Sequence, residues 1–304
     1  MNPAEVAEID FTAYLEAKFA LDERSLNPET QGEFVRALAH RGSVTGLDLG
    51  TGSGASVRRL LTLLPGSWHL TAVDREPSLL RQAREKSAAL LRGQGFRLAP
   101  RPDGIAAKKA GREVSVTFVA ADLLDLVPEP HAFDFVLAHA VLDLLPLPET
   151  IGALAAGLKP GGLFYATLLY DGSTTLFPAY RDGRLEEEIL AVYDTSMEQR
   201  RVRGLRSGGS RSGRRCLEAL ESRGFACIAY GSSDWNLTPR RRRYRDQDAV
   251  CLAALLGMIR EEAGRSGHFA SPALAAWYED RRGRLGAGEL GLIVHQLDVL
   301  AEKD

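Results

Sequence analysis

The feature that most constrains the fold is a short apolar run that ends in three glycines at alternate positions. Residues 44–55 read VTGLDLGTGSGA, and apolar residues follow at helical spacing up to position 64. The run is too short for a helix and is typical of a buried strand. Glycine permits positive φ and close backbone approach to a ligand, while a helix N-terminus presents unpaired N–H groups. This strand–turn–helix pattern predicts a binding site for a nucleotide-like cofactor.

Two classes of cofactor are compatible with this turn. Residues 50–55 satisfy the dinucleotide fingerprint, which accepts alanine at its last position, so a nicotinamide oxidoreductase stays open. Asp48 and the third glycine favour another class, because an acidic residue followed by G-x-G-x-G closely resembles the first motif of class I (Rossmann-like) S-adenosylmethionine-dependent methyltransferases. The resemblance implies S-adenosyl-L-methionine as cofactor. The cofactor-binding residues that it implies here are Asp48, Gly50, Thr51, Gly52 and Gly54.

Two further acidic residues end predicted strands. Residues 68–74 end in Asp74, about twenty residues past the glycines, where a carboxylate can accept hydrogen bonds from both ribose hydroxyls. Asp74 with Arg75 resembles the second motif of the family. Residues 114–122 form the next predicted strand, and the resemblance assigns Asp122 to the adenine amino group and Leu123 to the adenine ring.

The remaining motifs extend the resemblance over residues 44–171. F-D-x-V at 133–136 is followed by a predicted helix, K-P-G-G at 159–162 and an apolar strand, in the order of the fourth and fifth family motifs. The resemblance implies an α/β fold, a doubly wound, mostly parallel seven-stranded sheet. Residues 93–113, rich in glycine, proline and basic residues, are predicted to be a solvated connection.

The segments outside these motifs are predicted to be largely helical. Residues 1–42 are expected to form two helices, the second capped by Asn27, that serve either as a lid over the cofactor or as cover for one face of the sheet. Residues 43–304 are expected to be the methyltransferase domain. Within it, strands are predicted at 225–230 and 292–294, and helical insertions at about 172–210 and 232–288. One inserted helix is expected to have Ser271 as its N-cap and to end before Gly283.

Composition excludes several classes of protein. The formal net charge of −2 over 304 residues excludes a globally basic protein that coats nucleic acid. No apolar stretch approaches the length of a membrane span, and the N-terminus lacks a signal pattern, so we expect a cytoplasmic protein with no membrane partner. The three cysteines are an odd number without metal-ligand spacing, so no metal site is expected. Oligomeric state carries no signal in the sequence.

The carboxyl end of the fourth predicted strand supplies two candidate catalytic residues. In methyl transfer the cofactor carries the reactive group, and a general base is needed only when the acceptor must lose a proton. His139 is the candidate base because its ordinary pKa lies near neutrality. The alternative is that His139 packs against the methionine end of the cofactor. Asp143, one helical turn further on, is a candidate to orient His139 or to bind substrate.

The acceptor is the least constrained part of the prediction. The N/D-P-P-Y/F signature of many methyltransferases that act on amino groups of DNA and protein is absent, and no separated Asp/Asn set suggests a magnesium-dependent catechol type. Both absences favour a small-molecule substrate. Arginines at 200–215 and 240–245 leave an RNA methyltransferase open, although solvated loops and no nucleic-acid binding are expected. A non-catalytic protein that binds S-adenosylmethionine is the remaining alternative.

Overall fold

The computed structural model describes residues 11–304, which form a large mixed sheet with helices on both faces, a helical layer at one edge and a separate two-stranded hairpin. The first ten residues of the predicted 1–42 lid lie outside the described residues. The strands are β1 (Ser43–Leu49), β2 (Ser67–Asp74), β3 (Arg97–Arg101), β4 (Gly104–Lys109), β5 (Arg112–Ala120), β6 (Phe133–His139), β7 (Leu158–Phe177), β8 (Arg201–Val202), β9 (Leu205–Arg206), β10 (Phe225–Ser232), β11 (Trp235–Leu237) and β12 (Gly291–Lys303). The helices are α1 (Phe11–Ser25), α2 (Pro28–Leu38), α3 (Ala55–Leu63), α4 (Pro77–Gly93), α5 (Leu147–Gly157), α6 (Gly183–Gln199), α7 (Ser212–Glu221), α8 (Asp248–Arg265) and α9 (Ser271–Ala287).

The strand order confirms the predicted fold class. Within the described residues the main sheet has ten strands in the order β10-β12-β7-β6-β1-β2-β5-β4-β3, with β11 also paired to β12. The strands β7, β6, β1, β2 and β5 are parallel. β12 runs antiparallel to both β7 and β10, so β10 has the same direction as the parallel strands. Removing β3, β4 and β11 leaves the seven strands that the sequence predicted. Parallel strands place the loops after β1, β2, β5 and β6 at one edge of the sheet, where ligands bind in such folds.

The predicted connection at 93–113 was wrong, because most of it is a β-hairpin at the sheet edge. β3 and β4 pair antiparallel around the turn at Pro102 and Asp103, and β4 extends the sheet beside β5. Proline followed by aspartate and glycine is a turn signal with a physical basis. Gly104 is required there, since a Cβ would lie 1.9 Å from the carbonyl oxygen of Val116. The abundance of basic residues hid this signal.

Several predicted element boundaries also needed correction. β7 continues to Phe177, into the predicted insertion at 172–210, and β12 is much longer than residues 292–294. Ser271 is the first residue of α9 rather than its N-cap, which is Ala270, and α9 continues through Gly283 to a left-handed Gly288. The Asn27 cap is confirmed, since its side chain accepts hydrogen bonds from the backbone N–H groups of Glu29 and Thr30. Boundary errors arise because pairing with neighbouring strands extends a strand beyond its own sequence pattern.

The N-terminal helix shares a hydrophobic core with the C-terminal helices. One cluster of buried side chains joins α1, α6, α8, α9 and the adjoining ends of β7 and β12, while two other clusters line the two faces of the sheet. The side chain of Arg281 on α9 is fully buried and lies 3.4 Å from a carboxylate oxygen of Glu186 on α6. Trp277 donates to the same carboxylate at 2.9 Å. No helix in residues 11–304 has the length and hydropathy needed to cross a membrane.

Candidate active site

The glycine turn after β1 has the backbone conformation that its sequence predicts. Gly50, Gly52 and Gly54 all have positive φ, at +64°, +54° and +93°. A Cβ at Gly50 would lie 2.9 Å from a methyl group of Val141, so both conformation and space require glycine there. Thr51 donates its N–H to the carbonyl of Val73 at 3.0 Å, which fixes the turn against the end of β2.

Asp48 carries an unpartnered carboxylate inside the protein. Its side chain is fully buried, and neither oxygen has a hydrogen-bond partner within the described part of the chain. The nearby hydroxyl of Thr51 is likewise buried and unpartnered. Burial raises the pKa of Asp48 to about 6, and the neighbouring hydroxyls of Thr51 and Ser56 and the charge of Arg59 oppose this rise. A buried acceptor without a donor is costly, so this site is suited to a ligand that brings a positively charged donor, such as the ammonium group of S-adenosylmethionine.

Asp74 stands at the carboxyl end of β2 and is held by the turns on both sides of it. One carboxylate oxygen accepts from the N–H of Gly52 and the other from the N–H of Glu76, each at 2.9 Å. A carboxylate has about four lone-pair positions, so Asp74 keeps capacity for the two ribose hydroxyls that the sequence assigned to it. Arg75 follows with an exposed side chain.

Asp122 has a partner that the sequence did not indicate. Its carboxylate accepts from the N–H of Leu124 at 2.9 Å and from the guanidinium of Arg203 at 3.1 Å. Arg203 also binds Asp125, with contacts of 2.6 and 2.8 Å. The adjoining Leu123 is half-buried. Arg203 lies at the tip of the β8–β9 hairpin, in a stretch that sequence reasoning treated as a flexible loop.

His139 is enclosed, and both of its ring nitrogens are engaged. Nδ1 lies 2.6 Å from the hydroxyl of Thr167, and Nε2 lies 3.3 Å from a carboxylate oxygen of Asp22 on α1. Because the carboxylate can only accept, the neutral ring places its proton on Nε2 and accepts from Thr167 at Nδ1. Burial, reinforced by the guanidinium of Arg59, lowers the pKa of His139 to about 3. In this arrangement the ring is neutral and has no free nitrogen for a substrate proton.

Asp22 is the centre of a buried network that sequence reasoning missed. It accepts from the ammonium of Lys18 at 2.5 Å and from the indole N–H of Trp235 at 3.1 Å, in addition to its contact with His139. Burial opposes the charge, but Lys18 and His139 outweigh burial and hold the pKa of Asp22 below its ordinary value. Arg59 ties α3 to the same helix through Glu23 at 2.7 Å. The network fastens α1 across the carboxyl end of β6.

Asp143 belongs to a second group of polar side chains beside this network. It lies in the 3₁₀ turn Leu142–Leu144 after β6. Burial raises its pKa to about 6, opposed by the charge of Arg200, by a hydrogen bond from its own backbone N–H and by the charge of Lys18. Asp143 in turn contributes to raising the pKa values of Tyr14 and Tyr193. We call Tyr14, Lys18, Asp143, Tyr193 and Arg200 the α1–α6 polar cluster.

The structure brings most of the predicted site residues to one edge of the sheet. The carboxylates of Asp48 and Asp74 and the glycine turn adjoin one another, with His139 and Asp143 on the neighbouring strand end and Asp122 after β5. No group of three or more His, Cys, Asp or Glu side chains among the described residues is arranged to hold a metal ion.

Comparison with known proteins gives the class of this chain. Residues 47–164 match the family model described as a methyltransferase domain. No curated protein matches the sequence. The fold is similar to that of class I methyltransferases, and residues 47–164 form a methyltransferase domain. The chain therefore carries the domain of a methyltransferase, with S-adenosylmethionine as its cofactor.

Solved structures share the fold at low sequence identity. A proposed methyltransferase from Bacillus halodurans C-125 is similar with a TM-score of 0.50 and 14% identity, over 89% of this chain and 97% of that one. A proposed sarcosine dimethylglycine methyltransferase from Galdieria sulphuraria has a TM-score of 0.47 and 16% identity, over 95% and 88%. A geranyl diphosphate methyltransferase solved with S-adenosylmethionine has a TM-score of 0.47 and 11% identity, over 99% and 94%.

Proposed function

We propose that this methyltransferase acts on a small molecule held by the α1–α6 polar cluster. The observation that carries the proposal is the placement of Asp143 in the turn after β6, at the cofactor edge, where its charge acts on Tyr14 of α1 and Tyr193 of α6. Tyr193 on α6 is buried, and α1 is fastened over β6 through Asp22. An acceptor group enclosed in this way is accessible to a small molecule and not to a folded RNA.

The cofactor-binding residues follow from the same edge. Asp48 would bind the ammonium group of S-adenosylmethionine, and Asp74 would bind the ribose hydroxyls. Asp122 and Leu123 would contact the adenine. The glycine turn at 50–54 would pack against the cofactor between these groups. When bound, the cofactor supplies the methyl group on its sulfonium. The protein then has to align the acceptor with it and to exclude water.

The two candidate catalytic residues differ in their chemical state. Asp143 has a pKa of about 6, which suits a group that accepts a proton from the acceptor near neutral pH. His139 is neutral and both of its nitrogens are engaged. This suits a residue that positions α1 and packs against the methionine end of the cofactor. We therefore propose Asp143 as the base, if the acceptor has a proton to lose, and His139 as a positioning residue.

The pairing of the arginines argues against an RNA substrate. Four of the seven arginines at 200–215 lie within 4.0 Å of carboxylates, so more than half of the positive charge of this segment is neutralised by the protein; they are Arg203, Arg206, Arg214 and Arg215. Phosphate contacts require available cations, and counterion release supplies most of the affinity in such complexes. The arginine-rich segment at 200–215 therefore fits a structural role.

A label-transfer experiment tests the acceptor class. The protein is incubated with methyl-labelled S-adenosylmethionine and a cell extract separated into small molecules, RNA and protein. We expect label in the small-molecule fraction, reduced at least tenfold by Asp143→Asn and unchanged by Asp103→Asn, which alters an exposed acid in the β3–β4 turn. Label that enters RNA and is released by ribonuclease would contradict the proposal.

A further inference from the structure

We propose that the β8–β9 hairpin is a clasp over the adenine end of the cofactor cleft, fastened by Arg203 and released when the cofactor exchanges. The proposal rests on the cofactor-binding residues proposed above. It assigns a cofactor-retaining role to Arg203 and Asp125.

The hairpin extends from the turn after β6 to the loop after β5. At its base, Gly208 and Gly209 donate their N–H groups to the carbonyls of Leu145 and Asp143, at 2.9 and 3.1 Å, in the turn after β6. At its tip, Arg203 binds acids that follow β5. In the sheet, β1 and β2 lie between β6 and β5. The segment therefore runs between loops on either side of the strand ends that carry the glycine turn and Asp74.

The tip and the base differ in how firmly they are held. Arg203 and Gly204 form the two-residue turn, with φ values of +51° and +82°. The fork of Arg203 meets both oxygens of Asp125, yet the two side chains are 49% and 65% exposed. Exposed ion pairs contribute little net stability in water, so the tip can detach at small cost.

The base has no such freedom. A Cβ at Gly208 would lie 2.5 Å from the carbonyl oxygen of Leu142, so the backbone is packed directly on the turn after β6. Glu198 holds both the N–H and the hydroxyl of Ser210, at 2.9 and 2.8 Å, and pairs with Arg215 at 2.8 Å. Opening therefore separates the tip from Asp122 and Asp125 while the base stays in place.

Asp122 can serve the clasp and the cofactor together. Its carboxylate uses one position for the N–H of Leu124 and one for Arg203, which leaves about two of its four lone-pair positions for the adenine amino group. Arg203 is therefore able to stay bound to Asp125 and Asp122 while the cofactor is present. Arg203 therefore does not compete with the cofactor for Asp122. Loss of the Arg203 ion pairs should accelerate release of the cofactor.

Binding kinetics test this directly, with S-adenosylhomocysteine as the probe over the immobilised full-length protein. Arg203→Ala and Asp125→Asn should each raise the dissociation rate about 2–5-fold, the scale of one exposed ion pair. The double variant should be no faster than the faster single variant, because both changes remove one interaction. Arg201→Ala is the matched control, since Arg201 lies on the same hairpin and donates only to the carbonyls of Glu198 and Arg200.

Hydrogen exchange gives a second readout that is independent of activity. S-adenosylhomocysteine should slow exchange of the hairpin amides at 201–206 in the wild-type protein and in Arg201→Ala, and not in Arg203→Ala. Dissociation rates equal for Arg203→Ala and Arg201→Ala would overturn the clasp. Absence of any S-adenosylhomocysteine binding by the wild-type protein would instead overturn the proposed cofactor-binding residues.

Discussion

Nε2 of His139 lies 3.3 Å from Oδ2 of Asp22, although the two residues are 117 positions apart in the chain. This contact joins the end of β6 to α1. Burial and the charge of Arg59 keep His139 neutral even though the Asp22 carboxylate favours its charged form, so the ring donates to Asp22 instead of acting as a general base. Asp22 becomes a buried anion that holds the N-terminal helix against the cofactor edge.

Removing the charge of Asp22 should loosen α1. Asp22→Asn leaves Lys18 without its buried counter-ion, so we expect a loss of about 1–3 kcal/mol in the free energy of unfolding. Urea denaturation measures the loss, and hydrogen exchange should accelerate in residues 11–25. The matched control is Glu188→Gln, which breaks an exposed i,i+4 pair with Arg184 and should cost less than about 0.5 kcal/mol. Equal losses in the two variants would show that the Asp22 network does not hold the helix.

The pKa of His139 makes a prediction about stability and pH. The pKa of His139 is about 3 in the folded protein and 6.5 in the unfolded chain. Below pH 6.5 the unfolded chain therefore binds a proton that the folded protein does not bind. The stability that neutral His139 contributes to the folded protein is lost as the pH falls. His139→Gln removes this dependence. The stability difference between wild type and variant should therefore shrink between pH 6.5 and pH 4, by up to about 1.4 kcal/mol per pH unit.

Chemical denaturation of both proteins at several pH values measures this difference, with His268→Gln at an exposed position as control. A difference that stays constant from pH 7 to pH 4 would mean that His139 is accessible to protons in the folded state. In that case the role of general base would return to it.

The origin of these interactions explains what could be predicted from the sequence. The glycine turn, Asp48 and Asp74 lie within one strand–turn–helix–strand unit, so the family motif and the spacing together predicted that they meet at one site. Asp22 and Arg203 reach their partners across 117 and 81 residues, and pairings over such distances leave no local pattern.

The chemical state of His139 was beyond prediction for a related reason. Its pKa depends on burial under α1, which is a property of the packed structure and not of the residue type. The hairpin at 97–109, by contrast, carried a usable signal at Pro102 and Asp103, which the high content of basic residues obscured.

Asp48 should show opposite effects on stability and on binding. At pH 8 its buried carboxylate is ionised, and the hydroxyls of Thr51 and Ser56 and the charge of Arg59 offset its burial only in part, so Asp48→Asn should raise the free energy of unfolding of the ligand-free protein by about 1–2 kcal/mol. The same change removes the counter-ion for the cofactor ammonium and should weaken S-adenosylhomocysteine binding by about 1.5–3 kcal/mol.

Calorimetry tests the binding half of this prediction. Because the ammonium binds the ionised carboxylate, wild-type affinity should fall as pH drops below about 6, and binding at pH 6 should release protons. Asp48→Asn should show neither effect, and Asp103→Asn should behave as wild type. A ligand-free Asp48→Asn protein that is less stable than wild type would show that the carboxylate has partners in solution.

The second arginine-rich segment leads to a prediction about RNA. Arg240 and Arg243 exchange backbone hydrogen bonds of 2.9 and 3.0 Å around Arg241 and Arg242, whose φ values are +50° and +63°. This turn is more ordered than its sequence suggests, and it presents exposed guanidinium groups.

Two features of this turn still argue against a phosphate-binding surface. Arg242 pairs with Glu289 at 2.9 Å, and Arg245 pairs with Asp246 at 3.0 Å, so part of the charge is neutralised. The first arginine-rich segment is neutralised more fully. We therefore expect no RNA retention at physiological ionic strength.

Filter binding with single-stranded RNA over a range of salt concentrations measures this. Each phosphate contact would contribute about −0.7 to the slope of log affinity against log salt, so even three contacts would give a slope near −2. We expect a slope indistinguishable from zero for the wild-type protein and for a variant with alanine at Arg240, Arg241 and Arg243. A steep slope in the wild type that this variant abolishes would make the turn a nucleic-acid contact, because the changed side chains are exposed and contribute no buried packing.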